Sequence, residues 1–372
     1  YLTFNYLRAI IPPNSRPGGT MSFKNMQSNL TFADISLFAS IEKNRAIQRM
    51  EQINAIVDWP RIENLLMRSY PVGKSARGKE AYPPVLLMKC LLLQQWFHID
   101  SDPELETQIN DRASFKKFLG LPFDDPAPDH STFSRFRGRF SKDTMRLVNN
   151  ELLSQFAAKG LTINEGIAID ARLVQSASHP IGKEKLEEEK QKRNTPEGNL
   201  DKNGNIIKFS RDLDSDWTIK NDAPHFGLKE HAAVDTNYGF VLATEMTPAS
   251  HHDSPYLPLC VARSGHTKTP IKKVYADKGY FGKNNREFLH MNNIADGIMT
   301  KASRGTELTP FEKERNKAIS KIRYKVEQYF GLSHLHNNAF RARFTRLIKN
   351  AIDALFRQMA FNLLRGTKVL TA

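Results

Sequence analysis

The spacing of apolar residues changes near residue 163, and this change constrains the fold more than any other feature of the chain. Before it, the pattern is helical. Ile47, Met50, Ile53, Ile56 and Val57 recur at helical spacing within residues 43–69. Trp59-Pro60 breaks that segment in two, because proline disfavours a helical residue before it. Ser69–Pro83 is a Gly/Pro/Lys loop. Pro84–Phe97 is a strongly apolar helix that starts at a proline, a favoured first helical residue. Further helices cover Asp102 to about Asp111 and Ser114–Leu119, the second stopped by Gly120 and Pro122. After residue 163 short β-branched runs alternate with helices. Strands are predicted at Gly166–Asp170, His231–Asp235, Phe240–Met246, Val274–Asp277 and Gly297–Thr300. Helices are predicted at Pro255–Arg263, Asn285–Met291, Pro310–Phe330 and Phe344–Leu364. This order predicts an α/β fold in which a mixed sheet is flanked by helices and preceded by an all-helical part. Residues 181–215 read as a charged insertion, with a solvated helix over Lys183–Arg193 and a turn at Asn203-Gly204.

A chain of 372 residues that is 40% hydrophobic and 10% aromatic can bury a real core, which excludes a disordered chain, a collagen and a coiled coil. Its two cysteines, Cys90 and Cys260, exclude a disulfide scaffold and a Cys-rich zinc ribbon; both sit in apolar helices and read as core. The longest apolar run, Val85–Leu93, is interrupted by Lys89 and is too short to span a bilayer. Tyr1–Thr20 lacks the order of a secretory signal and reads as a tail ahead of a plausible start at Met21. The expected organisation is a tail over residues 1–28, a helical, helix-turn-helix-like domain over 29–150, and a sheet-containing domain over 160–365.

The net charge of +14 is uneven: residues 301–372 hold 15 Lys/Arg against five Asp/Glu, contributing ten of it. A polyanion would explain this excess, and so would a solvated basic face. Within the helical part, Asp129 or Ser131 can cap a short helix with Ser134, Arg135, Arg137 and Arg139 on one face and Phe133 and Phe136 on the other. That is the form of a DNA-reading helix; an ordinary capped surface helix looks the same.

Three carboxylates stand out. Asp170 ends the first strand, Asp277 ends a later one ahead of Lys278-Gly279-Tyr280, and Glu327 lies in a basic helix one turn after Arg323. A carboxylate ending a short apolar strand is costly to keep in a core unless it binds something. Hard divalent cations take oxygen ligands, and two of them can stabilise the attacking and leaving oxygens of a phosphoryl displacement. Acids at strand ends are also common without such a role. His251-His252-Asp253 reads as a turn near the site, since three adjacent residues do not easily ligate one ion. Lys229 and His231 share a strand face by the period of two, and Trp217 reads as packing rather than base stacking.

Ile169-Asp170-Ala171, Ala276-Asp277-Lys-Gly-Tyr280 and Arg323-Tyr-Lys-Val-Glu327 resemble the three acidic motifs of bacterial DDE-type insertion-sequence transposases, in particular the family of insertion sequence five. Leu30-Thr-Phe-Ala-Asp34, Pro128-Asp-His-Ser-Thr132, Trp217–Lys220, His225–His231, Val234-Asp235 and His252-Asp253 also resemble that family, so the similarity runs from about Asn29 to Arg365. The resemblance implies a ribonuclease H-like core and a triad of Asp170, Asp277 and Glu327. It implies two Mg²⁺ ions, replaceable by Mn²⁺, and cleavage and strand transfer at element ends. The implied partners are double-stranded DNA, as terminal inverted repeats and target, and further copies of the chain in a homodimer or higher oligomer. No membrane is implied, and the implied location is the bacterial cytoplasm, at the nucleoid. Arg323 matches the signature arginine; Ser320 and His334 stand where the family has tyrosine and lysine. The expected DNA contacts are Arg323, Ser131, Arg135, Arg137, Arg139, Lys229 and His334, with Arg341 or Arg343 as substitutes for the missing lysine. A non-catalytic DNA-binding derivative and a ribonuclease H-like nuclease are the rival readings; the intact triad argues against the first.

Overall fold

Local caps set out the helical part. A computed structural model describes residues 23–24, 30–72, 80–195, 211–265, 269–303, 305 and 307–371. Most of the expected tail, with Met21, and the Asn203-Gly204 turn lie outside these residues. The helices before the first strand are α1 (Phe32–Ser40), α2 (Arg45–Ile56), α3 (Trp59–Ser69), α4 (Pro84–Trp96), α5 (Asp102–Asp111), α6 (Ala113–Leu119), α7 (His130–Arg139) and α8 (Lys142–Ala158). Thr31 and Asp34 form a reciprocal capping box on α1. Asn44, Asp58, Ser101, Asp129 and Ser141 each accept a hydrogen bond from the first turn of the helix they start. Helices α1 and α8 add to those expected from the apolar spacing.

The second part interleaves β1 (Gly166–Gln175), α9 (Lys183–Asn194), β2 (Asp216–Lys220), β3 (Ala223–Asp235), β4 (Val241–Pro248), α10 (Leu257–Ser264), β5 (Lys273–Ala276), α11 (Lys283–Met291), β6 (Ala295–Ile298), α12 (Pro310–Asn337) and α13 (Leu347–Leu370). The sheet runs β2-β3-β1-β5-β6. Strands β1, β5 and β6 are parallel, while β3 pairs antiparallel with β1. The long β3 carries β1 on one edge and β4 and β2 end to end on the other. The sheet is therefore mixed and flanked by helices, as expected. One expectation is corrected: β1 does not end at Asp170 but continues to Gln175, because antiparallel pairing with β3 outlasts its parallel pairing with β5.

Helix α12 lies on one face of the sheet, burying Ile319, Val326, Tyr329 and Ser333. Helices α10 and α11 cover the other face, with Leu257, Cys260 and Leu289 in the core. Helix α13 is buried almost all round and packs on β4, α8, α4 and α2, so one continuous core joins the helical part to the sheet.

A buried ion cluster ties α12 and α13 to the strands. Glu230 on β3 is fully buried and accepts from Arg172 Nη2 (2.5 Å) and Nε (3.0 Å), from Arg357 Nη2 (3.2 Å) and from the Tyr329 hydroxyl (3.0 Å). Burial pushes its carboxyl up, but the two guanidiniums and the hydroxyl outweigh it and hold it at about 2. Breaking a buried pair from one side leaves uncompensated charge and costs about 3–5 kcal/mol. Glu230→Gln should therefore lower stability by about that amount in chemical denaturation; a loss under about 1 kcal/mol would show the cluster to be dispensable.

Candidate active site

The parallel strands place two of the carboxylates. Ile169 pairs with Ala276, so Asp170 and Asp277 stand side by side where β5 ends, on the α12 face. Ligands commonly bind at the carboxyl ends of strands in such sheets. Asp277 closes β5 and caps the turn after it, its Oδ1 accepting from Gly279 N at 2.8 Å. Asp170 Oδ1 accepts from Ala171 N at 2.8 Å.

Helix α12 brings the third acid. Arg323 Nη1 donates to Asp170 Oδ2 at 2.5 Å, and its Nη2 donates to Glu327 Oε1 one turn further along. The arginine side chain is only 14% exposed, whereas Glu327 remains 52% exposed. Burial is the main cause that raises the Asp170 carboxyl to about 6; Arg323 opposes it and Asp277 adds to it. One guanidinium thus joins Asp170 to Glu327, with Asp277 beside Asp170, although the oxygens of the three acids do not all come within 4.8 Å of one another. A partly buried carboxylate beside another is a donor set that suits a hard divalent cation. The Tyr280 hydroxyl, buried and without a protein partner, lies beneath the same turn as Asp277; only its place in the Asp277–Tyr280 motif hinted at this.

Among the described residues, a compact trio of possible ligands is Glu106 on α5 with Asp129 and His130 at the start of α7. Its groups already serve one another: His130 Nδ1 lies 3.0 Å from Glu106 Oε2, and Asp129 caps Ser131 N.

The other expected contacts fall into two sets. Arg135 and Arg139 on α7 are exposed, with Arg135 Nη2 donating to Ser131 Oγ at 2.8 Å. Arg341 and His334 are also exposed. Arg137 is not available. It is buried, donates to Asp102 and sits 5.4 Å over the Phe344 ring, because its place on α7 turns it toward α5 rather than outward. Arg343 is likewise mostly buried near Asp102 (3.6 Å). Lys229 is 13% exposed, pairs with Asp253 at 2.8 Å and donates to His251 O at 2.6 Å. The register puts Lys229 and His231 on the sheet face opposite Asp170, so neither points at the carboxylates. Part of the C-terminal basic excess is also structural: Arg315 donates to Ile298 O and Asp296 O, and Arg357 belongs to the Glu230 cluster. Trp217 packs on Phe226 and donates to Ile181 O, and both cysteines are buried, as expected.

The family of Transposase DDE domains matches residues 163–363, more than half of the chain. The chain belongs to the DDE transposase family. A second family, described as Transposase domain (DUF772), matches residues 36–139 of this transposase, the helical part. The transposase for insertion sequence element IS1106 of Neisseria meningitidis serogroup B is 32% identical over 246 residues, covering 64% of this chain and 79% of that relative. No described helix of the transposase is long and apolar enough to cross a membrane.

Two outcomes follow for residues around the site. Arg137→Ala should lower stability by about 1–3 kcal/mol, since Asp102 loses its closer cation but keeps Gln94 as donor and Arg343 at 3.6 Å, while Arg135→Ala should change it by under about 0.5 kcal/mol; thermal unfolding of both compares them. His231 stacks on Tyr256 at 4.3 Å, and burial, its main influence, pushes it down to about 4 despite Asp253. Its neutral form is favoured in the folded chain. Its contribution to stability is complete above its ordinary value of 6.5 and is lost as pH falls through about 4. His231→Gln should flatten the stability profile across that window; an unchanged profile would assign the acid sensitivity to other groups.

Proposed function

We propose that this transposase belongs to the insertion sequence five group, has a ribonuclease H-like catalytic core, and cleaves DNA at element ends and joins the freed 3′ ends to target DNA. The observation that carries the reading is that Arg323 bridges Asp170 and Glu327 while Asp277 stands beside Asp170 at the carboxyl edge of the parallel strands. Asp170, Asp277 and Glu327 are the residues that would hold divalent cations, Mg²⁺ or Mn²⁺. Such ions, when bound, stabilise charge on the attacking and leaving oxygens of an in-line displacement.

The protein's own residues position and neutralise. Strands β1 and β5 hold the two aspartates rigidly, and α12 supplies Glu327 from above. Arg323 sits where a guanidinium can hold a phosphate oxygen in bidentate fashion once the carboxylates have other partners. The exposed Arg135, Arg139 and Arg341 supply phosphate contacts, and the helical part reads the terminal repeats. The partner is double-stranded DNA, engaged by two or more copies of the chain.

The test is cleavage of a labelled element end in Mg²⁺ or Mn²⁺. Asp170→Asn, Asp277→Asn and Glu327→Gln keep shape and remove the anionic ligand. Each should abolish cleavage and joining while melting temperature and end binding stay near wild type, and the losses should be non-additive. Wild-type cleavage by any one of them removes that residue from the triad.

A further inference from the structure

Three cations surround one carboxylate where the helical part meets the sheet. Glu245 on β4 is buried; Lys142 Nζ donates to its Oε1 at 3.0 Å and Arg146 Nη2 to its Oε2 at 2.6 Å, both from α8. Arg263 on α10 pairs with the same carboxylate. The other acid paired with Arg146 is Asp143, whose side chain is 85% exposed, and so exposed a pair offsets little. Burial lowers the Lys142 ammonium below the usual lysine range, and Arg146 and Arg263 lower it further. The seam thus holds more positive charge than its one buried acid balances, which is costly unless an anion is near. Glu245 stands opposite His231 in the ladder, so this seam lies on the sheet face away from Asp170.

Two buried donors at the seam are unanswered. Val241 N donates to Asn362 Oδ1 at 2.8 Å, and Val241 O accepts from Asn362 Nδ2 at 2.7 Å, which fixes the orientation of that amide. Asn362 Nδ2 also donates to Asn149 Oδ1 at 2.9 Å, so the other atom of the Asn149 amide, its Nδ2, is a donor. Asn149 is 1% exposed, and among the described residues neither its Nδ2 nor the buried Nε of Arg146 has a hydrogen-bond partner. Arg146, Asn149, Asn150 and Arg263 line one cleft with Thr244 and Gln358, with about 200 Å³ of empty space open to solvent.

We propose that this cleft is a binding site for a free tetrahedral oxyanion of the phosphate class, held by Asn149, Arg146 and Arg263. Guanidinium groups and an amide donor match the several oxygens of such an ion. A water accepting from both orphan donors would still have two hydrogens to place, whereas an oxyanion only accepts. A donor as deep as the Asn149 amide suits a free ion better than a phosphodiester flanked by two sugars. Bound there, the ion ties α8 to β4 and α10, and so the helical part to the sheet.

The test needs no divalent metal. Inorganic phosphate is titrated into the full chain in EDTA, followed by calorimetry and thermal unfolding, with sodium chloride of equal ionic strength as control. Binding should saturate, and at about ten times its Kd phosphate should raise the melting temperature by roughly 2–4 °C above the control. Asn149→Asp keeps the oxygen that accepts from Asn362 and puts a carboxylate oxygen where the free donor stood. It should remove this phosphate binding and melt at or above wild type in chloride. Arg263→Gln leaves Glu245 with Lys142 and Arg146 and should weaken phosphate binding about tenfold. No rise beyond the chloride control, or a phosphate response that either variant leaves undiminished, overturns the proposal. So does a melting temperature of Asn149→Asp more than about 5 °C below wild type, which would show that the cleft rejects negative charge. A loss of duplex DNA affinity in Arg263→Gln as large as its loss of phosphate affinity would assign the cleft to the DNA backbone and overturn it likewise.

Discussion

Glu230 is a carboxylate in the middle of a sheet, and its need for compensation fixes the geometry above it. Arg172 reaches it from the neighbouring strand, Arg357 from α13 and Tyr329 from α12. A charge buried this deeply tolerates little movement of its partners, because each lost hydrogen bond exposes the full desolvation cost. The position of α12 on the sheet follows, and with it the height at which Arg323 and Glu327 meet Asp170. The same cluster orients α13, through which the helical part shares its core with the sheet.

The candidate site is electrostatically unlike this cluster. Glu230 is overcompensated, so its carboxyl is held low; Asp170 is undercompensated, so burial raises it despite Arg323. A fully buried acid and a partly buried one on adjacent strands of one sheet therefore have opposite tasks. One is a closed structural knot. The other keeps an unmet demand for positive charge, with Glu327 half in solvent and Asp277 at a turn. Perturbation of that kind marks functional positions more often than structural ones.

Much of this was legible in the sequence. The switch from helical to strand spacing located every strand but β2 along the chain, though not their order in the sheet, and the three acidic motifs pointed to the residues of the candidate site. The capping box of Thr31 and Asp34 and the spacing of Met145, Val148, Leu152 and Phe156 also mark α1 and α8, although neither helix was drawn from them. What the sequence hides is pairing over distance. Arg137 looks like a DNA-reading residue until Asp102, 35 positions away, is seen to hold it. Arg357 counts toward a basic face until Glu230, 127 positions away, claims it. The extent of β1 beyond Asp170 depended on β3, since Arg172 makes that stretch look too polar for a central strand unless its carboxylate partner is known.

The proposed cleavage chemistry requires a divalent cation among Asp170, Asp277 and Glu327. Iron(II) bound in place of Mg²⁺ generates hydroxyl radicals with ascorbate and peroxide, and these cut the polypeptide near the ion. Cuts should fall close to residues 170, 277 and 327 and be suppressed together by excess Mg²⁺. Cuts clustered instead around Glu106, Asp129 and His130, or cuts that Mg²⁺ does not suppress, would contradict it.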